Sequence, residues 1–207
     1  MFPCWGMRHS NQFDFQPDPQ KAYVFVFNHT SYMDIPVIMK SVRKQPFRVL
    51  GKAEMAKIPV FGLLYRLCAI MVRRDSPEHR ATSVQELKWF LHQGISVVIA
   101  PEGTFNMSHE PLKSFYDGAF RVAISTQTPI VPMLFLDAHD RMHYESVFSI
   151  TPGKSRTVFL PPVLVDGLTE ADVPALREKV YQIMDAGLRA HQVSWIQPTN
   201  NVSNRAS

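Results

Sequence analysis

Cysteine is nearly missing from this chain: Cys4 and Cys68 are the only two among 207 residues. They are too few and too differently placed for a disulfide framework, and neither has the Cys-x-x-Cys spacing of a metal or redox site, so the chain fits a reducing compartment. No uncharged apolar run reaches the roughly 18 residues that a membrane-spanning helix needs. Nor do the first residues combine a lysine-rich start with a long apolar core. The expectation is a chain that does not itself cross a membrane, with Met1 to Met7 apolar enough to be the stump of an anchor. A Gly-x-Ser-x-Gly elbow is absent, as is a cysteine beside a histidine, so nothing points to a covalent nucleophile. Helix-turn-helix, zinc-finger and RNA-recognition signatures are missing too, and no nucleic-acid partner is expected.

What is present is a chain that is 45% apolar, long enough to bury one sizeable core. A single domain over residues 1–207 is expected, with a polar, frayed tail from about Trp195. The formal charge of +4 hides an asymmetry. Between positions 40 and 74, Lys40, Arg43, Lys44, Arg48, Lys52, Lys57, Arg66, Arg73 and Arg74 face only Glu54, a local net of +8 that leaves the remainder at −4. Such a window attracts anionic lipid head groups or phosphates.

Strand-like and helix-like segments alternate. Tyr23 to Phe27 is entirely β-branched or aromatic and reads as a buried strand. Residues 35–43 read as a short helix, 47–50 as a strand, and 58–72 as a buried helix followed by a strand from Ala69. Ser76-Pro77-Glu78 opens the clearest helix, with Gly94 as its terminator. Ile95 to Ala100 is a strand, residues around 116–126 a helix, and 130–136, 147–150 and 156–160 strands. A closing helix runs from about Ala171 to His191, with Thr169-x-x-Asp172 as its start signal. This order predicts an α/β fold with a mixed, largely parallel sheet flanked by helices, the late consecutive strands supplying an antiparallel portion.

Asn28-His29-Thr30-Ser31-Tyr32-Met33-Asp34 follows the first strand directly. On one continuous helix, the five-residue interval between His29 and Asp34 would set their side chains roughly 140° apart, so the pair meets only across a turn. Asp34-Ile35-Pro36 supplies that turn by starting a helix with proline in its first turn. A histidine whose second ring nitrogen is held by a carboxylate is a general base in the right tautomer. The plainer alternative is a loop histidine beside a helix-capping aspartate.

Pro101-Glu102-Gly103-Thr104 likewise follows a strand end, and the two loops can face one cleft if their strands are neighbours. Glycine allows close backbone approach to a ligand, while the threonine hydroxyl and loop amides can hold oxygen atoms. Alone, Glu-Gly-Thr is a turn.

Taken together, the blocks resemble the glycerolipid acyltransferase family of the 1-acyl-glycerol-3-phosphate acyltransferase type. In order they are Asn28-His29-x-Ser31-x-x-Asp34, Gly51-Lys52-x-Glu54 leading to Arg74, Pro101-Glu102-Gly103-Thr104, and Pro129-Ile130-Val131-Pro132. The resemblance covers roughly residues 20–165. It implies transfer of a fatty acyl group from an acyl-carrier-protein or coenzyme A thioester to the hydroxyl of a lyso-lipid acceptor, first of all 1-acyl-glycerol-3-phosphate, in phospholipid biosynthesis. His29 and Asp34 would be the catalytic pair, as base and orienting partner. Lys52, Arg74, Glu102, Gly103 and Thr104 would bind substrate, with Arg74 on the acceptor's phosphate. No metal and no cofactor beyond the thioester co-substrate is implied, and the place of work would be a membrane surface, peripherally on its cytoplasmic face.

Two departures stand out. Phe105 follows Thr104 where the family usually continues with arginine, so the charge for a phosphate would fall to Arg74, Lys52, Lys113 or Arg121. Cys68 stands where a small glycine is common. The pair also admits other chemistry: O-acylation of a non-phosphate lyso-lipid such as an amino-acid lipid, or hydrolysis of a thioester or lipid ester. Asp137 to His143 holds two histidines four apart with acids nearby, but without the glutamate of a zinc hydrolase motif it reads as a solvated loop.

Overall fold

Val24, Phe25, Val26 and Phe27 are all buried, a pattern that β-branched and aromatic residues meet in the middle of a sheet covered on both faces. The computed structural model describes residues 6–52, 69–72, 77–143 and 149–196. Its strands are β1 (Met7–Phe13), β2 (Val24–Phe27), β3 (Phe47–Lys52), β4 (Ala69–Val72), β5 (Ser96–Ile99), β6 (Ile130–Phe135) and β7 (Gly153–Phe159). They form one seven-stranded sheet in the order β1-β7-β6-β2-β5-β3-β4. Strands β2 to β6 run parallel where they pair, whereas β7 lies antiparallel to β6 and parallel to β1. The sheet is therefore mixed and largely parallel, with its antiparallel step among the late strands.

Helices α1 (Asp34–Ser41), α2 (Pro77–His92), α3 (Gly118–Thr126), α4 (Ala138–Arg141) and α5 (Val173–Ala190) cover it. On one face Leu87 and Leu91 of α2, Phe120 and Ala123 of α3, and Leu176, Val180, Met184 and Leu188 of α5 join the core. On the other, Val37 and Ile38 of α1 and Ala138 of α4 pack on Phe25, Phe27 and Phe135. Gly94 ends the α2 segment at φ 74°, a left-handed conformation natural to glycine. Thr169 and Asp172 form the reciprocal capping bonds expected of them, through a short 3₁₀ turn at Glu170–Asp172 that leads into α5. No described helix is long and apolar enough to cross a membrane.

Three segments differ from the sequence expectation. Strand β1 has no strand signal, because Arg8, His9, Ser10, Asn11 and Gln12 are polar; it forms as an edge strand on β7, with Met7 buried at its start. Asp137 to His143 is no plain loop, since Ala138–Arg141 makes one helical turn. The tail does not fray at Trp195, which is buried at 4% exposure together with Val193 against the α5 face of the core. The expected helix before Ala69, the Ser76 cap and the first half of the expected strand at 147–150 lie outside the described residues, and in the second half Ile150 makes only an isolated antiparallel bridge to Met142.

Phe120 is fully buried where α3 meets the sheet, and its ring stacks on Phe115 at 6.1 Å. Phe120→Ala is expected to cost about 3–5 kcal/mol of unfolding free energy, read from urea denaturation; a loss under about 1 kcal/mol would show that this core is loosely filled.

Candidate active site

β2 and β5 are parallel neighbours, and the register that pairs Val26 with Ile99 continues past both strand ends to set His29 beside Glu102. The two polar loops found in the sequence therefore leave the sheet side by side, at the carboxyl edge where α/β folds place their sites. They are tied by hydrogen bonds on both sides of the His29 backbone. Its N–H donates to Glu102 Oε1 at 2.8 Å, and its carbonyl accepts from the Asn106 N–H at 2.7 Å. Asn28 fixes the loop from the other flank: its buried amide exchanges two bonds with the Phe135 backbone at 2.8 and 3.1 Å, extending the β2–β6 pairing by one side chain.

Within the first loop, the Ser31 carbonyl accepts from the Asp34 N–H and the Ser31 hydroxyl accepts from the Met33 N–H, making the turn that feeds α1. This turn brings the His29 imidazole to the Asp34 carboxylate, with Nδ1 and Oδ2 2.7 Å apart. The same oxygen accepts from the backbone N–H groups of Thr30 and Ser31 at 3.1 and 3.2 Å. With an acceptor facing it, Nδ1 carries the proton and Nε2 keeps its lone pair. Burial pushes the Asp34 carboxyl up from its ordinary value, against the opposing effect of its three N–H donors. Asp34 is 1% exposed and His29 25%, so the carboxylate is shielded while the base is open to a ligand.

Glu102, expected from the sequence to bind substrate, braces the loop and is not among the residues that line the cleft. It is 1% exposed, and while Oε1 holds His29, Oε2 accepts from the Lys113 N–H at 2.9 Å. Burial pushes its carboxyl up to about 8, although both N–H donors pull the other way. Gly103 turns the chain at φ 72° immediately after it, a conformation that few residues other than glycine adopt.

The cleft around His29 has a volume near 320 Å³ and is lined by Phe27, His29, Ser31, Tyr32, Asp34, Ile35, Ile38, Val49, Leu50, Gly51, Ala100, Gly103, Thr104, Phe105 and Met107. It is mostly apolar with one open base, a shape suited to an alcohol carried on an aliphatic body. Thr104 stands at the exposed rim, its hydroxyl accepting from Lys113 Nζ at 2.7 Å. Lys113 thus supplies a cation at the mouth. Arg121, on α3, does not, because it pairs with Asp117 at the start of that helix and with Glu170 in the turn before α5. Lys52 ends β3 one residue beyond the cleft-lining Gly51, its side chain outside the described residues, where Arg74 and Glu54 lie as well.

The sequence showed Phe105 only as a missing arginine; the structure gives it a positive role. Its ring lies 4.4 Å from the His29 imidazole and 4.8 Å from Tyr32, while Phe27 meets the imidazole edge-on at 5.7 Å. No signal in a single sequence reveals that contact. His139 and His143 come within 5.7 Å, ring to ring, and His139 packs on Trp195. Among the described residues no group of three metal-ligating side chains gathers there or elsewhere.

Because the Glu102 value in the fold lies above its ordinary 4.5, the stabilisation linked to it is complete below that value and is lost as pH rises toward 8. Unfolding free energy measured between about pH 5 and pH 8 is expected to fall more steeply for the unmodified chain than for Glu102→Gln. Equal slopes would mean that Glu102 is already ionised across this range.

A family model described as Acyltransferase matches residues 7–136. Human and mouse proteins named 1-acyl-sn-glycerol-3-phosphate acyltransferase alpha are 31% and 30% identical over 170 and 168 residues, each match covering 80% of this chain and 58% of the relative. The chain thus spans about three-fifths of the length of these relatives. A Haemophilus influenzae protein named 1-acyl-sn-glycerol-3-phosphate acyltransferase is 26% identical over 89% of this chain and 76% of its own length. In fold, the chain is like the crystal structure of the 1-acyl-sn-glycerophosphate acyltransferase PlsC from Thermotoga maritima, with a TM-score of 0.71 at 23% identity, over 90% of this chain and 74% of that one. With the family model matching well over half of its length, this chain belongs to the acyltransferase family.

Proposed function

We propose that this chain transfers a fatty acyl group from an acyl thioester, carried by acyl-carrier protein or coenzyme A, to the hydroxyl of a lyso-lipid of the 1-acyl-glycerol-3-phosphate class. The observation that carries the reading is the buried Asp34 holding Nδ1 of a half-open His29 at the wall of an apolar cleft. The names of the relatives supply the substrate class.

In this reading His29 Nε2 removes the proton of the acceptor hydroxyl as its oxygen attacks the thioester carbonyl. The tetrahedral intermediate collapses, the carbon–sulfur bond breaks, and the imidazolium returns the proton to the leaving thiolate. Asp34 stabilises the imidazolium between the two steps and keeps Nε2 pointed outward by fixing the tautomer. The thioester is already activated, so positioning and proton removal are the main tasks, and no covalent acyl-enzyme is needed. Gly103 and Thr104 line the acceptor side of the cleft, and Glu102 sets it indirectly by bracing the His29 loop. Lys113, with Lys52 and Arg74, would face the acceptor's anionic group. The work takes place at the cytoplasmic face of a membrane, where the lyso-lipid acceptor and the diacyl product reside.

The test is a reconstitution with acyl thioester and lyso-lipid in mixed micelles, followed by mass spectrometry of the products. A diacyl product supports the reading, whereas free fatty acid alone would make the pair hydrolytic. His29→Ala is expected to lower turnover by about 10²- to 10⁴-fold. Asp34→Asn should lower kcat by a comparable factor with little change in KM, because the wrong tautomer is then favoured while the cleft keeps its shape. Full activity in His29→Ala would remove the base assignment.

A further inference from the structure

A second cavity lies at the far end of α1 from the His29–Asp34 pair. With eight residues from Asp34 to Ser41, the two sites are separated by about 12 Å of helix. This cavity, near 300 Å³, is open to solvent and differs in character from the first: its lining is mostly polar and includes no carboxylate. Lys40, Arg43 and Lys44 stand around it, and Phe13, exposed at the end of β1, stacks on Phe159 as part of its wall.

The floor of the cavity is a closed hydrogen-bond network. His9 bonds Ser155 Oγ at 3.0 Å and Asn11 Oδ1 at 2.8 Å, Asn11 donates to the Ser41 carbonyl at 2.9 Å, and the Ser41 hydroxyl donates to Thr157 at 2.8 Å. Burial holds the His9 imidazole below its ordinary value, with Lys40 and Arg43 adding to the effect, so the positive charge here is that of the lysines and arginine. One group in the lining is unspent. Gln45 is 8% exposed, and its amide oxygen is buried without a hydrogen-bond partner. An orphaned buried acceptor is costly, and it marks the place where a ligand donor is missing. Arg43 and Lys44 are exposed and make no ion pair with any described residue.

The cavity thus offers cations for an anion at its rim, and beside them a lining glutamine whose amide oxygen is shut from solvent with no partner. We propose that it binds a phosphate ester bearing a neighbouring hydroxyl, the chemistry of a glycerol phosphate head group. Arg43 and Lys44 take the phosphate oxygens, and the Gln45 side chain turns toward the cavity to accept from the hydroxyl. Two sources present this chemistry, an anionic phospholipid in a membrane or a soluble phosphate ester. Because α1 links this cavity to the His29 cleft along one face of the sheet, a membrane-borne head group bound here would lay that face against the bilayer.

The experiment uses the full chain, the double variant Arg43→Gln/Lys44→Gln, and Gln45→Met. Cosedimentation is measured with vesicles of phosphatidylcholine alone and with added phosphatidylglycerol, and calorimetric titration with soluble glycerol phosphate and with inorganic phosphate. At roughly 1 kcal/mol for each basic residue near an anionic surface, the double variant should bind phosphatidylglycerol vesicles about 30-fold more weakly. Gln45→Met should weaken glycerol phosphate up to about tenfold while leaving inorganic phosphate unchanged. Vesicle binding that responds to both variants, without binding of the soluble ester, assigns the site to lipid; the converse assigns it to the free ester. Neither probe binding, or binding that ignores both variants, overturns the proposal. Turnover of the variants on micellar substrate separates this outcome from failure of the His29 assignment, since none of the three residues lines the reaction cleft.

Discussion

The site depends on the parallel pairing of β2 with β5. That pairing fixes which residues leave the sheet together, and it sets the His29 N–H against the Glu102 carboxylate at 2.8 Å. A slip of one residue would turn every side chain of either strand to the opposite face and carry the histidine away from its brace. The strands are short, four residues each, and every one of those residues is buried, so apolar packing on both faces holds the register. Asn28 secures the opposite flank by pairing with the Phe135 backbone, and the His29 loop is thereby clamped between two neighbouring strands.

Two carboxyl groups are buried beside one histidine, and they do different things. Asp34 gathers three N–H donors on one oxygen and orients the His29 imidazole; Glu102 spends each oxygen on a backbone N–H and orients the loop. Burial raises both, and neither has an arginine or lysine side chain within ion-pairing distance among the described residues. The His29 imidazole and two backbone amides oppose that effect at Asp34, and two backbone amides with the charge of Lys113 oppose it at Glu102.

The short helix α1 connects this machinery to the second, polar cavity. Its first residue is Asp34, and its last turn carries Lys40 beside that cavity. Among the described residues, Lys40, Arg43 and Lys44 of the basic window stand around that cavity. That end of α1 is remote from His29, while Lys113, from a different stretch of chain, provides charge at the mouth of the His29 cleft.

Much of the fold was legible in the sequence because local patterns and tertiary demands agree there. The β-branched and aromatic runs at Val24–Phe27 and Ser96–Ile99, the Gly94 stop and the Thr169–Asp172 cap each need only a few residues to specify them. The turn that joins His29 to Asp34 is equally local, being dictated by a five-residue interval and a helix start. The rest was decided by contacts between distant segments. Strand β1 is polar and exists only because β7 offers it an edge; Trp195 is held because the α5 core has room for it; Phe105 becomes part of the base's surroundings only when β5 lies beside β2. Glu102 shows the division most plainly: its chemistry was evident from its side chain, but whether it would face a substrate or a backbone amide was a question of strand register, which no run of neighbouring residues encodes.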